Sequence, residues 1–186
     1  MAQVRDMLIR KGLECLTEKG FVATGLDGLL KSAGVPKGSF YYYFDSKDDF
    51  GLNVIGAYAR YFNAKLDRCL NDRALSARER VRRFMDDARS GMVRHDFRRG
   101  CLIGNLGQEL NVLPEQFRHA LNDVMHQWEA RMQSCLSDDY PPDTAQTLAV
   151  FFWIGWEGAV LRARLEKSTR PLDVFGDGFL DLLDRL

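Results

Sequence analysis

Residues 34–44 read GVPKGSFYYYF, and this segment decides the fold. A short apolar helix precedes it, and Gly34 is expected to end that helix. Pro36 suits the first turn of the next helix, because a missing backbone N–H costs nothing there. Phe40 and Phe44 lie four residues apart, so they share one face and can bury against the preceding helix. The other positions carry a lysine, a serine and three tyrosines, a pattern that favours a recognition helix in a DNA major groove.

The rest of the chain also predicts helices. Apolar residues at helical spacing place them at about 3–19, 26–33, 46–70, 76–94, 100–110, 114–135, 143–165 and after Pro171. The helix at about 143–165 is apolar almost all round, so it is expected to be buried on several sides. The prediction is an all-α fold of about nine helices. A helix-turn-helix domain occupies residues 1–46, and a ligand-sensing and dimerisation domain occupies residues 47–186.

Several polar residues near the predicted helix ends suit capping or phosphate contact. Thr24 is a possible cap for the second helix and is also placed to touch a phosphate. Ser46 can cap the fourth helix, and Lys47 lies where its side chain and backbone N–H groups could hold a DNA phosphate. The fifth helix carries many arginines, including Arg80, and these are expected to form a solvated face.

Composition narrows the classes of protein. Twenty-six Lys and Arg balance 26 Asp and Glu, so any contact with DNA depends on a few well-placed groups. The longest uncharged run is too short for a membrane span, and the N-terminus lacks an apolar signal core, so we expect a cytoplasmic protein. The four cysteines form no CxxC pair, and we predict reduced thiols, no bound metal and no cofactor.

Residues 24–47, TGLDGLLKSAGVPKGSFYYYFDSK, resemble the helix-turn-helix of TetR-type transcriptional repressors. The resemblance implies a homodimer that binds palindromic operator DNA and pairs through its last two helices. It also implies a regulator released by a small-molecule inducer, not an enzyme. Matching positions assign phosphate or backbone contacts to Lys37, Tyr41, Tyr43 and Lys47. Ser39 and Tyr42 are the candidates for contacts with base edges or thymine methyls.

Cys101 is the candidate sensor. It follows Arg98 and Arg99 and stands near a predicted helix start, and both features favour the reactive thiolate. The segment RGCLIGNLGQE at 99–109 resembles a TetR subgroup that includes the N-ethylmaleimide- and acrylate-responsive repressors. That resemblance implies sensing of reactive electrophiles or of small acids derived from them. A buried cysteine that acts only as a small apolar residue is the alternative, and it is the expected role of Cys15, Cys69 and Cys135.

A non-covalent inducer remains open as a second trigger. Its pocket would draw on polar residues near Cys101 and on aromatic residues of the body. The candidates are Asn105, Gln108, Trp128, Trp153 and Glu157, with Glu109 as a further polar neighbour. Two other classes are a small thiol enzyme, for which the sequence places no histidine beside Cys101, and a helical interaction module that does not bind DNA.

Overall fold

The structure is a computed structural model that describes residues 2–186 of the chain. Helices are the regular elements of these residues, and no strand occurs among them. The helices are α1 (Ala2–Lys19), α2 (Leu26–Ala33), α3 (Lys37–Tyr43), α4 (Lys47–Leu70), α5 (Ala77–Arg94), α6 (Leu102–Gly107), α7 (Glu115–Leu136), α8 (Pro142–Glu166) and α9 (Arg170–Leu183). The predicted all-α class and helix order are confirmed.

The α2–α3 hairpin forms as its sequence predicts. Gly34 takes the left-handed conformation with φ of +65°, and its N–H bonds to the Leu30 and Lys31 carbonyls that α2 leaves without helical partners. Pro36 is the N-cap of α3 and lies one residue before the helix, not inside its first turn. Phe40 is buried and its ring lies 5.2 Å from that of Phe44. The predicted apolar seam of α3 is therefore confirmed.

The chain divides into two compact units, and both α4 and α7 pass from one to the other. The first unit holds the residues up to Tyr61 together with Cys101–Val124. Its core includes Leu8 and Leu16 of α1 and Phe50 of α4. The predicted functional division after residue 46 stays a prediction.

The second unit, Phe62–Gly100 with Met125–Leu186, has an aromatic core. The core rings come from five helices and pack with centroids about 4–6 Å apart; they are Phe62, Phe84, Trp128, Phe152, Trp153, Trp156 and Phe179. The α8 helix contributes three of them on its inner side, while Phe151 and Ile154 on its other side are exposed in this single chain. No helix among the described residues is both long and apolar enough to cross a membrane.

Arg80 is an exception to the predicted solvated face of α5. Its side chain is only 3% exposed, and its guanidinium donates to the Leu70 carbonyl at 2.9 Å and to the Asp138 carboxylate at 2.8 Å. A further bond reaches the Cys135 carbonyl at 3.3 Å. The last carbonyls of a helix have no N–H partner within that helix, and Arg80 donates to such carbonyls at the C-terminal ends of α4 and α7.

Candidate DNA interface and sensor helix

The α3 helix presents most of the predicted DNA-binding side chains to solvent. Tyr41 and Tyr42 are 53% and 69% exposed, and Lys37 is exposed as well. Ser39 and Tyr43 are half-buried, and the Tyr43 ring lies edge-on to that of Tyr42 at 5.0 Å. Aromatic side chains that remain exposed on a short helix contribute little burial to the core of their own chain. They are available for contacts with a groove, as the sequence predicts.

Lys37, the only charged residue of α3, forms an ion pair in the structure. Its Nζ donates to Oδ1 of Asp27 in the first turn of α2 at 3.1 Å. This hydrogen bond and the negative charge of Asp27 raise the pKa of Lys37. Lys37 therefore stays protonated, but its charge is neutralised locally by a carboxylate on the same surface.

Lys47 has a structural partner that the sequence did not reveal. Its Nζ donates to the Phe21 carbonyl at 2.9 Å and lies 4.4 Å from the centroid of the Phe21 ring. The ammonium group has three donors, so two remain for a phosphate after the bond to Phe21. The predicted cap beside it is confirmed, because Ser46 Oγ accepts from the Asp49 N–H at 3.0 Å.

Thr24 is not the cap of α2. Gly25 occupies the N-cap position, and the Thr24 side chain is buried. Its hydroxyl donates to the Gly20 carbonyl at 2.6 Å, four residues back along the chain. The single hydroxyl proton is thus used inside the fold, and the predicted contact between Thr24 and phosphate would require that bond to break.

The α6 helix holds the C-terminal end of α1 and the turn after it. Cys101 is the N-cap of α6 and is half-buried. One turn later, the Asn105 amide donates to the Thr17 carbonyl at 2.8 Å. Just after α6, the Glu109 carboxylate accepts from the backbone N–H groups of Phe21 at 2.9 Å and Val22 at 3.1 Å. Asn105 and Glu109 therefore bond to residues 1–46, the predicted helix-turn-helix domain, which is called the DNA-binding head below. The predicted pocket residue Gln108 is exposed.

Gly20 makes room for the Glu109 carboxylate. It has φ of +82°, a conformation that favours glycine, and a Cβ at this position would clash with Glu109 Oε1. On the far side of the turn, the Phe21 ring packs on Phe117 with centroids 4.9 Å apart. The backbone of Phe21 thus bonds to Glu109 through its N–H and to Lys47 through its carbonyl.

The predicted aromatic pocket residues lie together in the second unit. The rings of Trp128 and Trp153 are 5.0 Å apart, and Phe62 lies 4.3 Å from Trp128. The Trp153 indole N–H is buried and has no hydrogen-bond partner among the described residues. Glu157 is half-buried on the same helix as Trp153. Asn105 and Gln108 belong to the other compact unit, so the structure divides the predicted pocket residues into two groups.

The three other thiols sit in environments that oppose ionisation. Burial raises the pKa of Cys15 and of Cys69, and it raises that of Cys135 to about 11. Only a small fraction of each is thiolate at neutral pH, and the thiolate is the reactive form. Among the described residues, no group of three or more His, Cys, Asp or Glu is arranged to hold a metal ion.

Comparison with known proteins identifies the family. Residues 8–52 match the model of bacterial regulatory proteins of the tetR family, and residues 77–179 match the tetracyclin repressor-like C-terminal domain. The chain belongs to the TetR family. TetR-family regulators bind operator DNA and act as dimers, so this chain is a DNA-binding transcriptional repressor of that family.

Individual relatives place the chain more closely within the TetR family. It is 52% identical over 177 residues to the transcriptional regulator AcuR of Cereibacter sphaeroides, an alignment that covers 90% of this chain and 80% of AcuR. A crystal structure of regulatory protein TetR from Rhodobacter sphaeroides matches with a TM-score of 0.89 at 48% identity, covering 95% of this chain and 96% of that chain. The reduced form of Escherichia coli NemR matches with a TM-score of 0.84 at 26% identity, covering 95% of both. These matches support the AcuR- and NemR-like subgroup of the TetR family.

Sequence reasoning missed two features of this TetR-family head. It assigned no role to Asp27, and it placed Glu109 only as a polar neighbour of a ligand pocket. A signal for Glu109 was present, because Asn105 and Glu109 lie four residues apart and share one face that begins at Cys101. No local pattern marked Asp27, since its partner Lys37 is ten residues away on another helix.

Proposed function

We propose that the chain is a homodimeric cytoplasmic repressor that leaves its operator when a small electrophile reacts with Cys101. The observation that carries this proposal is the position of Cys101 at the N-cap of α6. The same short segment bonds to the DNA-binding head through Asn105 and Glu109. A change at the start of α6 therefore acts on a segment that holds the head.

The head would read DNA through the exposed face of α3. Lys37 and Tyr41 would contact phosphates, while Ser39 and Tyr42 would face base edges in the major groove. Two such helices in a dimer must lie about 34 Å apart to enter successive major grooves of a palindromic site. A trigger that favours a different spacing releases the DNA, because the two states then differ in affinity for it.

Dimerisation through α8 and α9 would cover an apolar surface that the single chain exposes. Ile154 and Leu165 of α8 are 70% and 76% exposed, and Val174 of α9 is 64% exposed. A large apolar patch of this kind is unfavourable in water and typical of a surface that pairs with a second copy. Gly155 lies between these residues in contact with Phe175, where α8 and α9 approach closely.

The proposed chemistry is a conjugate addition. The Cys101 thiolate sulfur forms a bond to the β-carbon of an unsaturated carbonyl compound, the carbon–carbon π bond breaks, and the α-carbon takes a proton from water. The adduct adds several heavy atoms at the half-buried N-cap of α6. The likeness to NemR, a protein solved in a form described as reduced, supports a thiol-based trigger.

A reversible inducer is the second candidate, and one observation favours it. The buried Trp153 indole N–H lacks a partner among the described residues, and a buried donor of this kind has unused hydrogen-bonding capacity. A ligand with a carbonyl or carboxylate oxygen could supply the acceptor within the aromatic cluster. Such a ligand would act without any reaction at Cys101.

Operator binding by three proteins tests the proposal. Wild type, Cys101→Ser and the control Cys15→Ser are each titrated against DNA from upstream of the protein's own coding sequence, before and after treatment with N-ethylmaleimide or acrolein. We expect release of wild type and Cys15→Ser, with mass spectrometry showing one adduct on Cys101, and retention of Cys101→Ser. Equal release of all three proteins would contradict the thiol trigger and favour the reversible one. Failure of every protein to bind either this DNA or a random-sequence duplex library would contradict the proposal that the chain acts as a DNA-binding repressor.

A further inference from the structure

Both lysines that are predicted to hold DNA phosphates already have acceptors within the fold. Lys47 donates to a backbone carbonyl, which is neutral and leaves the full positive charge in place. Lys37 instead pairs with Asp27, a carboxylate that cancels its charge. Affinity for DNA comes largely from cations that replace the counterions of the phosphates. The two lysines therefore differ in what they can offer a duplex before any rearrangement.

The Asp27–Lys37 pair bridges α2 and α3 on the surface that the proposed function assigns to DNA. The carboxylate is in the first turn of α2 and the ammonium is on the first residue of α3. The two side chains are 82% and 60% exposed, respectively, so the pair lies at the surface and is not part of a core. An exposed ion pair is weak because water screens it, and another anion can therefore replace one partner.

We infer that Asp27 competes with DNA phosphate for Lys37 and so lowers the affinity of the head for any duplex. This inference rests on the proposed function, since it requires Lys37 to face phosphate. When Lys37 turns to a phosphate, Asp27 loses its partner and its negative charge remains beside the backbone of the DNA. Both effects oppose binding, and neither depends on the base sequence.

The competition has a measurable signature. Each additional cation that acts on phosphate makes the plot of log K against log salt steeper by about 0.9. Asp27→Asn removes the competing charge and keeps the size of the side chain. We therefore expect tighter binding, roughly three- to tenfold per head near 0.1 M salt, with a slope steeper by about 0.9 per head. Operator and random duplex should gain by the same factor, so the ratio of the two affinities stays constant.

The test uses the full-length protein and two labelled 30-base-pair duplexes. One is selected from a random-sequence library for tight binding and the other has scrambled sequence. Affinities are measured by fluorescence anisotropy between 50 and 300 mM NaCl for wild type, Asp27→Asn and the control Asp123→Asn. Asp123 is an exposed aspartate on α7 in the same compact unit. A gain shown by Asp27→Asn and not by the control supports the inference.

A double-mutant cycle separates the competition from a general charge effect. If Asp27 acts through Lys37, then Asp27→Asn should give a smaller gain, at most about half, when Lys37 is already glutamine. Three results would overturn the inference. Weaker binding of Asp27→Asn to both duplexes would mean that Asp27 positions Lys37 for phosphate. A change in preferred sequence would mean that Asp27 contacts a base. Unchanged affinity would mean that Lys37 does not reach phosphate, while failure of wild type to bind either duplex would instead overturn the proposed function.

Discussion

Glu109→Ala is expected to loosen the DNA-binding head, because the Glu109 carboxylate holds the turn between α1 and α2. It accepts from the N–H of Phe21 at 2.9 Å and from that of Val22 at 3.1 Å. A hydrogen bond to a charged group contributes about 1.5–3 kcal/mol, and less where water can replace the partner. Val22 is exposed, whereas Phe21 is buried, so most of the loss comes from Phe21. We expect the free energy of unfolding to fall by about 2 kcal/mol.

Urea unfolding followed by circular dichroism measures this loss. Tryptophan fluorescence is a poor substitute, because the three tryptophans all lie in the second compact unit. All samples need the same protein concentration, since the stability of a dimer depends on it. Glu115→Ala is the matched control in the first unit, where the carboxylate pairs with the exposed Arg118. The control should lose less than about 0.5 kcal/mol.

The same variant also tests the proposed link between α6 and DNA. Without Glu109, the turn at Phe21 is no longer held by the segment that carries Cys101. We therefore expect weaker operator binding than in wild type and a smaller further loss when N-ethylmaleimide is added. A Glu109→Ala protein that matches Glu115→Ala in stability, operator affinity and response to N-ethylmaleimide would refute the argument that α6 holds the head.

Three further predictions concern the second unit. Arg80→Met should lower the free energy of unfolding by about 1–3 kcal/mol, because it leaves the buried Leu70 carbonyl without this donor and removes the guanidinium that pairs with the partly exposed Asp138 carboxylate. Arg83→Met at an exposed pair should cost less than about 1 kcal/mol, and similar losses in urea unfolding would contradict this. Lys167→Gly should raise the free energy of unfolding by about 0.5 kcal/mol, because Lys167 at the end of α8 has φ of +47°, a left-handed conformation that glycine adopts at lower cost. A lower melting temperature of this variant would contradict the prediction. Burial raises the pKa of Cys135 to about 11, against 9.0 for an ordinary thiol, so between these pH values the folded state keeps a proton that the unfolded state releases. The free energy of unfolding should therefore fall as pH rises from about 9 to 11, and it should fall less in Cys135→Ser. Identical plots of this free energy against pH for the two proteins would exclude the contribution.

The helices could be predicted from sequence because local chemistry and apolar spacing agree along most of the chain. Gly34 both ends α2 and adopts the left-handed conformation that other residues avoid. Phe40 and Phe44 fall on one face, and both are buried as that spacing requires. Helix ends were predicted to within about one or two residues wherever a proline, glycine or capping serine marks them, as Ser76 does for α5.

Contacts between residues far apart in sequence could not be predicted in this way. Arg80 looked like one of several surface arginines, and only the meeting of α4, α5 and α7 makes it a buried donor. Thr24 has the right chemistry for a cap, yet its hydroxyl turns back to the Gly20 carbonyl. In each case the partner or surface is set by packing and not by the neighbouring residues.

The backbone of Phe21 links the proposed sensor to the proposed DNA contact. Its N–H donates to Glu109 after α6, and its carbonyl accepts from Lys47 at the start of α4. Under the proposed function, a shift of α6 that withdrew Glu109 would free the N–H groups of Phe21 and Val22, and the Phe21 carbonyl would keep only its bonds from the Thr24 N–H and from Lys47. The Phe21 carbonyl would then orient Lys47 less firmly, and Lys47 needs a defined direction to meet a phosphate. If Cys101 is the sensor, as proposed, its modification need not reach the recognition helix itself, because it would weaken DNA binding through Phe21, the residue that bonds to both Glu109 and Lys47.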